Sequence, residues 1–140
     1  MLFQSMAALL ITLATTPFVA ADFHYGTLQC SEAGGGYIDA GFILNAASAD
    51  YCVAAFNADK PGSNIPINST HPTATVCGRN VTINVNTLEW FATDSGGVKN
   101  KKNHGTCTRT DDDTTTCNPT LAECTYTNLL NCVSSVCDES

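Results

Sequence analysis

The chain has little positive charge, and its few basic residues are unevenly placed. Six Lys and Arg stand against thirteen Asp and Glu, so the formal net charge is −7 over 140 residues. Such an acidic protein repels polyanions at long range, which disfavours general binding to nucleic acid or to anionic membranes. Four of the six basic residues lie between Lys99 and Arg109, and Asp111–Asp113 follows at once. Because these carboxylates partly cancel the local field, we interpret this stretch as a solvated loop.

Metal-binding motifs and long apolar runs are also missing. The intervals between the last five cysteines contain no C-x2-C knuckle, which argues against a zinc site. The adjacent carboxylates of Asp111–Asp113 lack the alternation and the glycine of a calcium-binding EF-hand loop. Beyond the first 21 residues, no apolar run approaches the roughly 20 residues of a membrane-spanning helix. We therefore expect neither a metal, nor a cofactor, nor a membrane partner.

The first 21 residues have the character of a secretory signal peptide. Met6–Ala14 is an apolar core, and Val19 and Ala21 supply the small residues that signal peptidase accepts, which predicts cleavage before Asp22. A membrane anchor is the alternative, but the apolar core is too short to cross a bilayer. The sequence therefore predicts a single secreted, extracellular domain over residues 22–140.

Eight cysteines, an even number, all lie downstream of this leader, at Cys30, Cys52, Cys77, Cys107, Cys117, Cys124, Cys132 and Cys137. In a small secreted domain this pattern predicts disulfide bonds. Eight cysteines allow 105 pairings, and spacing does not choose among them. Three cysteines precede residue 100 and five follow it, and both numbers are odd. If all are paired within the chain, at least one bridge joins the N-terminal part to the tail.

Periodicity predicts an α+β domain: mostly antiparallel strands with one short helix, held by disulfides. Strands are expected at 22–30 and Tyr37–Leu44, forming a hairpin, with an alanine-rich helix at Ala46–Ala58 capped by Asn45 or Ser48. Residues 60–75 are rich in Pro, Asn and Ser and are expected to form a surface loop. Apolar alternation over residues 80–86 predicts a strand, and its change of phase near Asn86 predicts a turn or bulge.

The cysteine-rich tail is expected to contain short strands. A turn of helix is expected near Leu129, and residues 94–103 are expected to form another loop.

Two sequons mark candidate glycosylation sites. They are Asn68-Ser69-Thr70, in the polar loop, and Asn80-Val81-Thr82, where Asn80 lies on the polar face of its strand. Both asparagines are predicted to face solvent, so both are expected to be glycosylated if the protein is exported.

One catalytic alternative uses Glu89, His71 and His104. The coarse order of hairpin, helix, long loop and strands, with His71 and Glu89-Trp90, is similar to small fungal guanyl-specific ribonucleases. In that family a carboxylate acts as base and a histidine as acid, while cations stabilise the phosphorane. The strand that carries the family's catalytic arginine has no clear counterpart between Glu89 and His104. Under this alternative the protein is a ribonuclease-like hydrolase or an inactive relative of one.

A second resemblance extends over most of residues 22–140. The motifs that carry it are Asp22-Phe23-His24 with Cys30, Tyr51-Cys52, Cys77-Gly78, Trp90-Phe91, Gly105-Thr106-Cys107, Cys117, Cys124-Thr125-Tyr126, Leu130-Asn131-Cys132 and Cys137. With these motifs the chain resembles a largely uncharacterised group of small secreted cysteine-rich proteins of filamentous ascomycetes. Members of that group are described as effector-like, which implies an extracellular setting and no particular reaction.

We therefore expect a non-enzymatic, effector-like glycoprotein that is monomeric and acts by binding a protein or glycan of a host or competitor. Phe23, Tyr25, Tyr37 and Trp90 are candidate contact aromatics, although aromatic residues of this kind more often lie in the core. A membrane-permeabilising toxin is a third possibility. The acidic charge and the lack of a cationic amphipathic helix argue against it.

Overall fold

A computed structural model describes residues 23–32, 37–46, 50–59, 64–93, 99–117, 122–134 and 136. The proposed signal peptide, its cleavage site and Cys137 lie outside these residues. The elements in chain order are β1 (Phe23–Glu32), β2 (Tyr37–Asn45), α1 (Tyr51–Ala58), β3 (Thr73–Val76), β4 (Arg79–Asn84), β5 (Glu89–Thr93), β6 (Lys99–Cys117) and β7 (Ala122–Cys132).

All seven strands belong to one antiparallel sheet in the order β2-β1-β7-β6-β5-β4-β3. The sheet curls into a nearly closed barrel. Six antiparallel pairings separate the two edge strands, so β2 and β3 run in the same direction. At this seam, an isolated backbone bridge among the described residues joins Gly41 of β2 to Ile65. The Gly41 N–H donates a 2.6 Å hydrogen bond to the Ile65 carbonyl.

The α+β class predicted from the sequence is wrong, because this is a mainly β protein. Antiparallel strands dominate as expected, but the one helix of the described residues has only eight residues, Tyr51–Ala58. This helix packs against one face of the sheet and is too short to form a separate helical layer. The predicted helix began too early because an alanine-rich composition does not locate the cap. Asp50 is the N-cap, and its carboxylate accepts a hydrogen bond from the Val53 N–H at 3.1 Å.

The tail differs most from the sequence-based expectation. Instead of short strands, it contains a 19-residue β6 and an 11-residue β7. Leu129 belongs to β7 and not to a helical turn. β6 already begins at Lys99, inside the stretch expected to be a loop, and β3 lies at the end of the polar loop expected over residues 60–75. The many threonines of the tail favour strands, because β-branched side chains fit a pleated surface.

Two cores lie on opposite faces of this single sheet. The barrel interior contains Phe23, Tyr25, Ile43, Ile65, Val76, Val81, Ile83, Trp90, Ala92, Cys107, Leu130, Cys132 and Val136. The second core, between the outer face and α1, contains Leu28, Cys30, Ala40, Phe42, Leu44, Cys52, Ala55, Cys117, Cys124 and Tyr126. The N-terminal hairpin β1–β2, predicted from the sequence, contributes to both cores.

Bulges allow the long strands β6 and β7 to contribute side chains to both cores. Relative to β1, β7 has one extra residue, Leu129, because Tyr25 pairs with Leu130 while Gly26 pairs with Asn128. A one-residue insertion moves the following side chains to the other face of a sheet. Leu130 therefore faces the barrel interior, whereas Tyr126 faces the helix. β6 is interrupted at the same level, between Arg109 and Asp113.

Three disulfides cross-link these elements. Cys30–Cys124 joins β1 to β7, Cys107–Cys132 joins β6 to β7, and Cys52–Cys117 joins α1 to β6. Cys77 is disulfide-bonded as well. Two of the bridges join a cysteine before residue 100 to one in the tail, which confirms the expectation from the odd numbers of cysteines. Each native bridge is typically worth about 2–4 kcal/mol.

Two tight turns shape the short strands. Cys77 and Gly78 have φ angles of 49° and 78°, and they form the two-residue loop of the β3–β4 hairpin. Positive φ at both positions is the hairpin geometry that matches strand twist. The turn expected near Asn86 is confirmed, because β4 and β5 are joined through residues 85–88 with Leu88 at a φ of 59°.

Gly105 allows Trp90 to lie flat across the sheet inside the barrel. The two residues are directly paired between β5 and β6. A Cβ at position 105 would lie 2.7 Å from Trp90 Nε1. That indole nitrogen donates a hydrogen bond to the Val133 carbonyl at 3.1 Å, so the ring has little freedom to move away.

We expect Gly105→Ala to destabilise the fold by about 1–3 kcal/mol, because the added methyl group overpacks the Trp90 ring. Thermal or denaturant unfolding with intact disulfides would measure the loss. Thr106→Ala, at the neighbouring exposed position, is the matched control and should change stability by less than about 0.5–1 kcal/mol. Equal stability of Gly105→Ala and the wild type would contradict this packing argument.

Candidate functional site

A groove of about 690 Å³ opens at the seam between the two edge strands. One wall is formed by Gly41–Ile43 of β2 and the other by Thr73–Thr75 of β3. The end of α1, several residues between Asn64 and His71, and Asn80 of β4 contribute the remaining lining. Among the described residues β2 and β3 share no ladder, and the backbone bridge between Gly41 and Ile65 lies at this seam. Its volume is within the usual range for small-ligand sites.

The lining is rich in hydrogen-bonding groups but not in charge. The polar side chains are amides, hydroxyls and one imidazole: Asn57, Asn64, Asn80, Ser69, Thr73, Thr75 and His71. None of the described lining residues is Asp, Glu, Lys or Arg. Ile65, Pro66, Ala58 and Ala74 provide apolar surface between the polar groups. Such a surface suits uncharged ligands that carry many hydroxyls or amides, because its described side chains include no Asp, Glu, Lys or Arg to pair with a charged group.

The helix that forms one end of the groove is fixed at its other end by a buried polar cluster, which we call the His24 cluster: His24, Tyr51, Tyr126, Asn128 and Asn131. Tyr51, the first residue of α1, hydrogen-bonds through its hydroxyl to His24 Nε2 at 3.0 Å. His24 Nδ1 contacts Asn131 Oδ1, and Asn128 Nδ2 donates to the same oxygen at 2.8 Å. Because an amide oxygen only accepts, Nδ1 carries the proton and Nε2 accepts from Tyr51.

Ring contacts add to these hydrogen bonds. The His24 and Tyr51 rings meet edge to face at 5.0 Å, and the Tyr51 and Tyr126 rings stack at 5.7 Å. The adjacent bridge Cys52–Cys117 ties the same turn of the helix to β6. Together these contacts set the direction of α1 and therefore the position of Asn57 in the groove.

Two polar atoms of the His24 cluster are buried without a hydrogen-bond partner among the described residues: Tyr126 Oη and Asn128 Oδ1. Tyr126 lies against Gly26, where a Cβ would overlap the phenol ring. Burial, and secondarily the nearby Tyr51, raise the pKa of the Tyr126 hydroxyl. Burial also raises the pKa of Tyr25, whose hydroxyl is likewise unpartnered.

The three residues of the ribonuclease-like alternative share the outer face of the sheet but do not meet in the groove. Glu89 pairs with Thr106, and Phe91 pairs with His104, so Glu89 and His104 are diagonal neighbours on β5 and β6. His71 precedes β3 and lies beside β4, as shown by the hydrogen bond from the Ile83 N–H to the Pro72 carbonyl. Two strand spacings, about 10 Å, therefore separate the backbones of His71 and Glu89.

All three residues are exposed, and Glu89 and His71 each contact a neighbouring threonine. The Thr87 hydroxyl donates to Glu89 Oε2 at 3.1 Å, and the Thr70 hydroxyl contacts His71 Nδ1 at 3.0 Å. Of the three, only His71 lines the groove. Glu89 and His104 lie outside the groove on neighbouring strands.

The candidate contact aromatics lie mostly in the core. Phe23, Tyr25 and Trp90 are at most 3% exposed, and Phe23 packs edge to face on Trp90 at 5.2 Å. The side chain of Tyr37 lies outside the described residues. Phe23, Tyr25 and Trp90 therefore belong to the barrel interior and offer no contact surface.

Both sequon asparagines, Asn68 and Asn80, are exposed, as predicted. Asn80 lines the groove. The described residues contain no group of three or more His, Cys, Asp or Glu placed to bind a metal ion. No helix in the described part of the chain is long and apolar enough to cross a membrane.

No sequence pattern indicated the groove or the His24 cluster. Both join residues far apart in the chain, such as His24 and Asn131, which only the sheet register brings together. No family model, curated protein or solved structure matches this chain. The interpretation of the site therefore depends on its own geometry.

The two stacked tyrosines should respond oppositely to loss of their hydroxyls. Tyr51→Phe leaves His24 Nε2 without its donor and should cost about 1 kcal/mol of stability. Tyr126→Phe removes a buried hydroxyl that has no partner and should leave stability unchanged or raise it by up to about 1 kcal/mol. Denaturant unfolding of both variants measures the contrast, and a larger loss in Tyr126→Phe would contradict it.

The two buried tyrosines with raised pKa values, Tyr126 and Tyr25, predict a pH dependence of stability. Above about pH 10 tyrosines ionise in the unfolded chain, whereas burial keeps Tyr126 and Tyr25 protonated in the native state. The unfolded state then binds fewer protons, so stability should fall as pH rises through this range. Tyr126→Phe should show a shallower alkaline decline than the wild type.

RNA cleavage separates the catalytic alternative from a binding function. We expect the folded protein and its Glu89→Ala variant to show the same negligible cleavage, because neither Glu89 nor His104 lines the groove that contains His71. Fluorescent RNA substrates over several pH values would measure the rates. Cleavage by the wild type that is lost in Glu89→Ala, with His104→Ala as a further variant, would restore the ribonuclease reading.

Proposed function

We propose that this protein is a secreted, effector-like binding protein whose seam groove takes a short, uncharged oligosaccharide of a host or competitor. The observation that supports the proposal is the lining of the groove. In a chain with thirteen acidic and six basic residues, the described lining contains amides, hydroxyls and apolar groups but no Asp, Glu, Lys or Arg.

Oligosaccharides match this chemistry. Asparagine side chains both donate and accept hydrogen bonds, as sugar hydroxyls do, so Asn57, Asn64 and Asn80 are suited to pair with a polyol. The apolar side chains between them, Ile65 and Ala74 among them, suit the C–H faces of a sugar ring. The overall negative charge further disfavours anionic ligands such as acidic polysaccharides or RNA.

An extracellular location is consistent with the covalent structure. Three disulfides within the described residues are typical of proteins that fold in an oxidising compartment. The signal peptide over residues 1–21 and the glycosylation of Asn68 and Asn80 belong to the same proposal.

Direct titration with neutral oligosaccharides tests the function. Chitotetraose, cellotetraose and laminaritetraose serve as probes, and the anionic tetragalacturonate serves as the charged comparison. We expect at least one neutral probe to bind and the anionic one not to bind. Isothermal titration or NMR shifts of groove amides would report binding.

Asn57→Ala should weaken binding of the responsive probe by about fivefold, since one hydrogen bond contributes about 1 kcal/mol. Asn86→Ala is the matched control, because Asn86 is an exposed asparagine in the 85–88 turn and does not line the groove. Absence of binding by every neutral probe, or equal losses in the two variants, would overturn the proposed function.

A further inference from the structure

We propose that Asn80 carries an N-linked glycan whose first sugars lie in the seam groove, so that the protein occupies its own ligand site. This inference rests on the proposed function, since it assigns the same groove to neutral sugars and names what regulates access to it. The tethered glycan would compete with free oligosaccharide. Forms that lack it would bind free ligand more tightly.

The position of Asn80 supports the proposal. Asn80 is the second residue of β4 and lies directly opposite Thr75 of β3. Both residues line the groove. The Thr75 hydroxyl donates to Asn80 Oδ1 at 3.0 Å, which orients the amide and leaves Nδ2 as the polar atom of this exposed side chain still available for a sugar.

The rest of the sequon is held on the same outer face. Thr82 of β4 is opposite Thr73 of β3, and their hydroxyls are 2.8 Å apart. Val81, the middle residue of the sequon, is fully buried in the barrel interior. The strand thus fixes Asn80 at the rim, whereas Asn68 lies in a turn and does not line the groove.

Attachment of the glycan uses a lipid-linked oligosaccharide pyrophosphate as donor. A bond forms between Asn80 Nδ2 and the anomeric carbon of the first N-acetylglucosamine. The bond from that carbon to the pyrophosphate oxygen breaks, the pyrophosphate keeps the electron pair, and the amide loses one proton. The product is a neutral amide-linked sugar, which is the kind of ligand that the groove lining favours.

Tethering gives this sugar an advantage over free ligand. A group held by a short linker has an effective concentration in the millimolar range. A free oligosaccharide must exceed that concentration, scaled by its relative affinity, to displace the tethered one. Occupancy of Asn80 would therefore weaken binding of free ligand while every other lining residue stays unchanged.

The first experiment needs no free ligand. The protein is produced in a eukaryotic secretory host, and intact mass establishes whether Asn80 is occupied. Endoglycosidase then trims the glycans of the native and the denatured protein. We expect native protein to release the Asn80 glycan about tenfold or more slowly than denatured protein, and the Asn68 glycan to be released at similar rates in both states.

A groove-filling variant makes this test specific. Asn57→Trp places a bulky side chain at an exposed lining position and should expel the glycan, so that native trimming at Asn80 becomes fast. Asn86→Trp, outside the groove, should leave it slow. An unoccupied Asn80, equal native and denatured rates, or no effect of Asn57→Trp would each overturn the inference.

The second experiment measures regulation with chitotetraose as probe. Thr82→Val removes the sequon and keeps Asn80, whereas Thr82→Ser preserves the sequon. We expect Thr82→Val to bind the probe about tenfold more tightly than glycosylated wild type, with Thr82→Ser unchanged. If the probe does not bind even Thr82→Val, the proposed function loses its support, while the trimming assay still decides where the glycan lies.

Discussion

The architecture depends on one constraint, which is that β6 and β7 change the face they present to the core at the same level of the sheet. Bulges at Leu129 and between Arg109 and Asp113 produce the change. Without them, a continuous alternation would bury one end of each strand and expose its apolar residues at the other. With them, Leu130 lies in the barrel interior and Tyr126 under the helix. The cross-strand bridges Cys107–Cys132 and Cys30–Cys124 lie on either side of this level and hold both halves in register.

The face change also explains why a helix is needed and where the groove forms. Once the second core lies on the outer face, α1 must cover it, and the His24 cluster and Cys52–Cys117 attach the helix there. The helix then ends beside the seam, where Asn57 enters the groove lining. The seam itself follows from strand number. Seven antiparallel strands give two edge strands that run in the same direction, and the backbone bridge between Gly41 and Ile65 lies at the seam between them.

Sequence patterns were sufficient for features that depend on neighbouring residues. The first hairpin, the turn after β4 and a disulfide between the N-terminal part and the tail were predicted correctly. Alternation and phase changes are local properties of the sequence, and the disulfide follows from the number of cysteines. The class and the long tail strands were not. The alanine-rich stretch indicated more helix than Tyr51–Ala58, and the bulge at Leu129 interrupts the alternation that would have revealed β7. The groove depends on the register of residues from Gly41 to Asn80, which no local pattern specifies.

The absence of charged side chains from the described groove lining is the basis for proposing a neutral ligand. In an acidic protein, a ligand site can attract cations through carboxylates or avoid charge altogether. The described groove residues avoid it, and the exposed catalytic candidates Glu89 and His104 lie away from it on β5 and β6. The edge strand β3 would otherwise offer unpaired backbone groups to other chains. Under the proposed function, neutral sugar bound in the polar, uncharged groove beside that edge, with Asn80 at the rim, would cover the edge.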